Sequence, residues 1–244
     1  MFNEKSKLVE KNYCPICDKY LEFKPFGPSK RKRAQCPICG SLERHRLIYL
    51  LFQKRYNELL SEKQIKLLHF APEEVFYNYF NKQQNIDYYP VDINPKIFEK
   101  TNIQIREKVD MVQMPYDNNE FDFIYNGHVL QCVNNDTKAI KELYRVLKPN
   151  GICIILVPIN KSSKETLENK EYNTPELRKK YYGDKHHRRY YSMDLIDKLE
   201  YHGFNVEVVS DEEILDFDFE KNLYNVFKNT IFICKKNKID LTTK

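Results

Sequence analysis

The chain has 244 residues, 41% hydrophobic and 31% charged, with a net charge of +5 and a mean hydropathy of −0.68. A chain of this length buries a core without disulfide support, and no stretch reaches the roughly 18 apolar residues of a membrane-spanning helix. The 14% aromatic content and the mixed periodicities exclude collagen-like, coiled-coil and disordered classes.

Residues 1–12 are polar and lack an apolar signal core, so secretion is not expected. Seven cysteines, an odd number, read with that start as a reduced, cytoplasmic protein. The first sixty residues hold 13 Lys and Arg against 6 Asp and Glu, with the densest run at Ser29–Arg33. Such a run attracts anionic partners or is simply a solvated surface. Cys14-Pro15-Ile16-Cys17 is repeated, eighteen residues on, as Cys36-Pro37-Ile38-Cys39. Two thiolates three positions apart grip one ion from a tight turn, and two such turns complete a tetrahedral shell. This spacing suits zinc better than a redox or disulfide pair. Four protein ligands leave no open position, so the zinc is expected to be structural. Residues 1–45 read as a zinc-ribbon-like module and residues 46–244 as a second domain. Cys132, Cys153 and Cys234 lie in apolar segments and read as small buried hydrophobes.

After the second knuckle, Ser41 suits a helix cap, and the spacing of Leu47, Leu50, Leu51, Leu59 and Leu60 predicts one helix to about residue 60. Arg44, His45 and Arg46 near its start could line an anion site or form a solvated face. Residues 66–71 predict a buried strand, 73–82 a helix, and 87–93 a second strand ending near Asp92. A third strand is expected over 109–111 and a fourth over 121–126. Asp136 is expected to cap a helix with Ala139, Ile140, Leu143, Val146 and Leu147 on one stripe, stopped by Lys148-Pro149-Asn150-Gly151. Residues 152–157 are the most apolar strand and so interior. Residues 160–192 are polar, rich in Tyr and weak in sheet signals, and read as a lid or acceptor loop. A helix over 194–201 ends at Gly203, and 204–210 and 225–235 are the last strands. Strand and helix alternating in this way predict a doubly wound, mainly parallel α/β sheet that binds ligands beyond the carboxyl ends of its strands. His69 to Glu73, Asp92 and Asn126 to His128 converge there.

These residues carry a resemblance. Asp92, Asp110-Met111, Phe121-Asp122-Phe123-Ile124 and Glu142 to Gly151 resemble class I S-adenosylmethionine-dependent methyltransferases. Residues 36–46, Leu67 to Glu73, and His187 to Tyr191 before Gly203-Phe204 resemble a subgroup with an N-terminal zinc module. The resemblance implies a Rossmann-like, seven-stranded sheet with an antiparallel final pair and S-adenosyl-L-methionine across the strand tips. Asp92 is then placed to accept the ribose hydroxyls. The resemblance further implies that Asp110 meets the adenine amino group and that Met111 packs on the ring. Ala71 and its neighbours His69, Phe70 and Glu73 would back the methionine portion, with Asn126 beside them. Three departures stand out. The turn Phe70-Ala71-Pro72-Glu73 has no glycine, Gln131-Cys132 stand where relatives tend to have Glu-His, and His186 stands where they have an acid.

The reaction class that the resemblance implies is methyl transfer, with a small-molecule or glycan acceptor, anionic in character, expected. His128 and His187 are the candidate bases, because histidine titrates in the useful range. Arg44, His45 and Arg46 are expected to join His187, Arg189 and Tyr191 in one cationic acceptor pocket, against the alternative of two unrelated solvated patches. Two other readings remain. One is a nucleic-acid methyltransferase, acting on RNA and gripping phosphates with the basic zinc module. The other is a non-catalytic binding protein with the same fold.

Overall fold

The computed structural model describes residues 11–27, 30–215 and 230–237. Part of the last predicted strand, residues 225–229, lies outside them, as do Ser29 and residues 1–10. The described residues divide into two units, one up to residue 57 together with 211–215, the other 58–210 together with 230–237. The division therefore falls after residue 57 instead of after 45, because the helix beyond the second knuckle stays with the cysteine module.

In that module β1 (Asn12–Cys14) pairs antiparallel with β2 (Lys19–Leu21), and β3 (Lys24–Phe26) with β4 (Arg31–Gln35). Asp18 at φ 52° and Gly27 at φ 79° supply the left-handed residues that tight hairpin turns need. Then α1 (Glu43–Arg55) buries Leu47, Ile48, Leu51 and Phe52. The predicted single helix breaks at Tyr56, where φ is −129° and ψ 12°, and resumes as the short α2 (Asn57–Ser61). A four-residue helix, Asp211–Ile214, belongs to the same unit, and its Glu213 pairs with Arg55 at 3.8 Å. Ser41 does not cap α1. Leu42 is the N-cap, its N–H donates to His45 Nδ1 at 3.2 Å, and the Ser41 hydroxyl lies against Cys39 Sγ at 3.1 Å.

The second unit is a seven-stranded sheet in the order β10-β11-β9-β8-β5-β6-β7. Its strands are β5 (Ile65–Phe70), β6 (Ile86–Asp92), β7 (Glu107–Lys108), β8 (Phe121–Gly127), β9 (Leu147–Leu156), β10 (Phe204–Ser210) and β11 (Thr230–Lys236). Only β11 runs against the rest. This is the expected Rossmann-like architecture with its antiparallel end. The chain winds outward from β5 to β6 and β7, then returns to the other side of β5 as β8. That reversal leaves a crevice beyond the carboxyl ends of β5 and β8.

Alternation along the strands sorts the core. Leu68, Phe70, Ile124 and Ile155 join one apolar cluster with Ala139, Ile140 and Leu143 of α4 (Asp136–Val146) and Leu195 and Leu199 of α6 (Leu195–Tyr201). His69 and Tyr125 pack with Phe76 and Phe80 of α3 (Glu74–Phe80) and with Tyr88 in an aromatic cluster. The cap of α4 is Asn135, whose side chain accepts the Lys138 N–H at 3.0 Å; Asp136 is engaged elsewhere. The third strand is Glu107–Lys108 only. Val109 bonds back to Asp92 O at 3.0 Å, and residues 110–113 turn away from the sheet. Residues 160–192 are not a bare loop, since α5 (Pro175–Tyr182) forms there, capped by Thr174 and opened by Pro175. Isolated bridges tie Ile159 to Tyr191 and Leu167 to Tyr190. No helix among the described residues is long and apolar enough to cross a membrane.

Candidate functional site

The two knuckles bring Cys14, Cys17, Cys36 and Cys39 together, with all four sulfurs within 4.8 Å of one another. Cys14 to Cys39 is 3.6 Å and Cys17 to Cys36 is 3.8 Å. These separations are far too long for a disulfide bond of about 2.05 Å. They match the edge, about 3.8 Å, of a tetrahedron with metal–sulfur bonds of about 2.3 Å. The donor set therefore fits one divalent, thiophilic ion with no open position. Ser41 Oγ lies within reach of Cys39 and Cys14, an outer contact that orients ligands.

Of the three side chains expected to bind an anion near this module, two serve the fold. Arg46 is 1% exposed, donates from Nη1 to Ala34 O and Ser41 O, and lies 4.5 Å over the Phe23 ring. His45 is buried and accepts the Leu42 N–H. Arg44 is half-buried. In the basic run, Arg31 pairs with buried Glu43 at 3.2 Å.

In the sheet unit a cleft of about 250 Å³ opens at the switch point. Phe70 and Ala71 line it from the end of β5, Asp92 and Ile93 from β6, Val109 to Val112 from beyond β7, and Val129 and Cys132 to Asn134 from beyond β8. The last lining residue is Arg188. Ala71, at φ 47°, and His128, at φ 59°, end their strands in the left-handed region, so the missing glycine turn is made by alanine. Burial pushes the Asp92 carboxyl up, opposed by the Asn94 N–H at 2.7 Å. Asp110 is exposed and accepts the Val112 N–H at 3.1 Å. Met111 is buried, its sulfur 3.8 Å from Asn126 Nδ2. Asn126 Oδ1 is buried and has no partner among the described residues. A larger, open hollow of about 540 Å³ lies around the amino ends of β5 and β8, where Lys66, Glu120, Asp122 and Lys148 already pair with one another.

Several expected contacts fall elsewhere. His69 does not line the cleft. It follows Leu68 and precedes Phe70, so pleating turns it to the opposite face, where Nδ1 meets Tyr88 Oη at 2.8 Å and Nε2 meets Glu73 at 3.3 Å. Glu73 is thereby drawn to that face too, and neither it nor Asn126 is a lining residue. His128 and His187 do not line the cleft either. His187 Nδ1 is 2.9 Å from Tyr182 O, which makes it the protonated ring nitrogen, and Nε2 faces Gln131 Nε2 at 3.5 Å. Gln131 also donates to His128 O at 2.8 Å. Gln131 is thus a brace between the two histidine segments.

Arg189 is 1% exposed and held by Glu168 at 2.9 Å, Asp136 at 3.4 Å and the Val133 carbonyl at 2.7 Å. Tyr191 donates to Asp136 at 2.7 Å. Both are buried tie points between residues 187–191 and α4, and neither lines the cleft. Cys132 is not a core residue but part of the cleft wall, its thiol pushed up to about 11 chiefly by burial. Sequence reasoning passed over Arg188.

Residues 73–155, less than half of the chain, match the family described as a methyltransferase domain. A demethylmenaquinone methyltransferase of Staphylococcus carnosus is 39% identical over 56 residues, 23% of each chain. A chloroplastic 2-phytyl-1,4-beta-naphthoquinone methyltransferase of Arabidopsis thaliana is 41% identical over 54 residues, 22% of this chain and 20% of that one. The chain thus spans about a fifth of the length of these curated relatives. Among solved structures, a SAM-dependent methyltransferase from Archaeoglobus fulgidus superposes with a TM-score of 0.52 at 17% identity, covering 79% of this chain and 94% of that chain. The [4+2]-cyclase SpnF gives 0.54 at 16% identity, covering 79% and 81%. These structural likenesses show that the sheet unit has the Rossmann-like methyltransferase fold, which also carries a cyclase.

Proposed function

We propose that the sheet unit transfers a methyl group from S-adenosyl-L-methionine to a small-molecule acceptor. The observation that carries this reading is the set Asp92, Asp110 and Met111 lining one cleft at the switch point, inside the segment that matches a methyltransferase domain. The residues fit the cofactor. Asp92, at the end of β6, accepts hydroxyl donors of a ribose. Asp110, with one oxygen on its own turn, has the other for an amino group, and Met111 and Val109 offer an apolar surface to a purine. Ala71 brings backbone close to the methionine portion. When bound, the cofactor supplies a methyl group on a positively charged sulfur. The chain's part is to align the acceptor atom and keep water out. Small-molecule acceptors are supported by the apolar wall Val129, Cys132 and Val133 and by the quinone methyltransferases among the relatives. Neither histidine lines the cleft, so this reading assigns no base. In the other unit, Cys14, Cys17, Cys36 and Cys39 hold a structural zinc ion.

Calorimetry with S-adenosylhomocysteine tests the reading. The parent protein binds it, and Asp92→Ala weakens binding by about 1.5–3 kcal/mol, the loss for a hydrogen bond to a charged group. Equal affinity of variant and parent removes the ribose role. Labelled cofactor incubated with fractionated cell extract should then label the small-molecule fraction. Label in the RNA fraction would favour nucleic-acid methylation instead, and binding without transfer to any fraction would favour a non-catalytic protein.

A further inference from the structure

We propose that Arg188 reads a carboxylate on the acceptor, whose apolar body lies along Val129, Cys132 and Val133. The proposal rests on the cofactor reading above for the direction from which the acceptor enters. It begins from a contrast between two neighbours in sequence. Arg189 is turned into the protein and fully engaged by Glu168, Asp136 and backbone carbonyls. Arg188 is turned into the cleft, where its side chain has no ion pair or hydrogen bond among the described residues and Nε is buried without a partner. Only its backbone is tied, through the N–H to Gln131 O at 2.8 Å.

A half-buried guanidinium without a counterion is unfavourable, because desolvation is not compensated. The groups around it do not help. Arg178 is the neighbouring side chain that acts on it most and Arg189 acts in the same direction, both being positive, while the Cys132 thiol acts the other way. The Cys132 thiol is held protonated at neutral pH by burial, so it offers no anion. Asp92 and Asp110 line the same cleft, but neither they nor Asp184 forms an ion pair with Arg188. A ligand entering the cleft would supply the missing negative charge. A planar, forked donor set matches a carboxylate through two parallel bonds. Beside it, two valines and a neutral thiol make an apolar surface. A compact acid with an aromatic or aliphatic body fits both features. The cofactor's own carboxylate is the other source of the same chemistry. The wall that holds Arg188 follows β8, however, whereas the residues assigned to the cofactor follow β5, β6 and β7.

Benzoate and benzamide, equal in shape but differing in charge, separate these sources. The protein is saturated with S-adenosylhomocysteine and titrated with each probe by ligand-observed NMR. Benzoate is expected to bind about tenfold or more tighter than benzamide. Arg188→Met abolishes that preference while leaving S-adenosylhomocysteine affinity within about twofold. Arg188→Lys keeps part of the preference, because the charge stays and the fork is lost. The proposal is overturned if neither probe binds, if the parent does not distinguish them, or if Arg188→Met keeps the preference. It is equally overturned if Arg188→Met weakens S-adenosylhomocysteine about tenfold, which would give Arg188 to the cofactor. If the parent fails to bind S-adenosylhomocysteine, the cofactor reading falls. A benzoate preference in the unliganded protein that Arg188→Met removes would still support the anion contact.

Discussion

Ala71 and His128 end the two strands that flank the cleft, and both hold a left-handed backbone conformation, at φ 47° and 59°. For a residue with a Cβ that conformation costs about 1 kcal/mol, through the approach of Cβ to the following carbonyl. The Ala71 N–H donates to Val91 O at 2.9 Å and the His128 N–H to Leu156 O at 2.7 Å, so neighbouring strand ends hold both in place. Small size at 71 lets the backbone face the cleft. Ala71→Gly should therefore raise stability by up to about 1 kcal/mol and keep S-adenosylhomocysteine binding. Ala71→Val should lower stability by about 1–3 kcal/mol, because a branched Cβ suits that backbone worst, and should weaken binding by crowding the cleft. Urea unfolding and calorimetry on both variants test this. Undiminished affinity in the valine variant would show that the backbone at 71 does not approach the ligand.

At the scale of elements, the join between residues 187–191 and α4 depends on Asp136. Burial raises its carboxyl, but Arg189, Lys198 and the Tyr191 hydroxyl outweigh burial, and the net shift is downward. A carboxylate lowered in the folded state adds stability that is fully present above its unfolded value, about 3.9, and lost as pH falls below it through the folded value. Asp136→Asn should cost about 3–5 kcal/mol at pH 7, since it leaves buried Arg189 one carboxylate short. The gap between parent and variant in urea unfolding should narrow below about pH 4. A constant gap down to pH 3 would mean that packing alone sets the loss. This join also shows what the sequence could convey. Apolar runs placed β5, β6, β8 and β10 within a residue or two, because burial on both faces leaves a one-dimensional trace, whereas β9 starts at Leu147, five residues before the expected 152, so that the supposed helix stop 148–151 belongs to the strand. Asp92 was legible as a strand-end residue and Asp110 and Met111 through the resemblance, and all three line the cleft. The edge strand β7 was not legible, since two residues carry no periodicity. His69 was assigned to the cleft although pleating turns it away. Arg189 was expected in the acceptor pocket and Arg188 was given no role, because which of two adjacent arginines is buried depends on Asp136 and Glu168, 53 and 21 residues before Arg189 in sequence.

For the whole molecule, the division into two units has an energetic counterpart. The sheet unit has a large core of its own, drawn from β5, β6, β8, β9, β10, β11, α4 and α6. The hairpins of the cysteine module do not. Their buried cluster is Cys14, Phe23 and Cys36, with Ile16, Leu21, Cys17 and Cys39 partly buried beside them. One phenylalanine and a few half-exposed aliphatics do not offset the conformational entropy of some twenty-five ordered residues, at about 1–2 kcal/mol each. Ligation of the proposed zinc would supply what burial cannot, on the order of 10–16 kcal/mol for a structural site. Protein prepared under reducing conditions should therefore contain one zinc per chain. Cys36→Ser should lose it, and amide exchange should then rise sharply across 12–35 while the amides of β5, β8 and β9 keep their protection. Metal analysis and hydrogen exchange read the two parts separately. Absence of zinc from the parent would remove the metal site. Equal loss of protection in β8 and β9 would show that the sheet depends on the metal as well, so that the two units unfold as one.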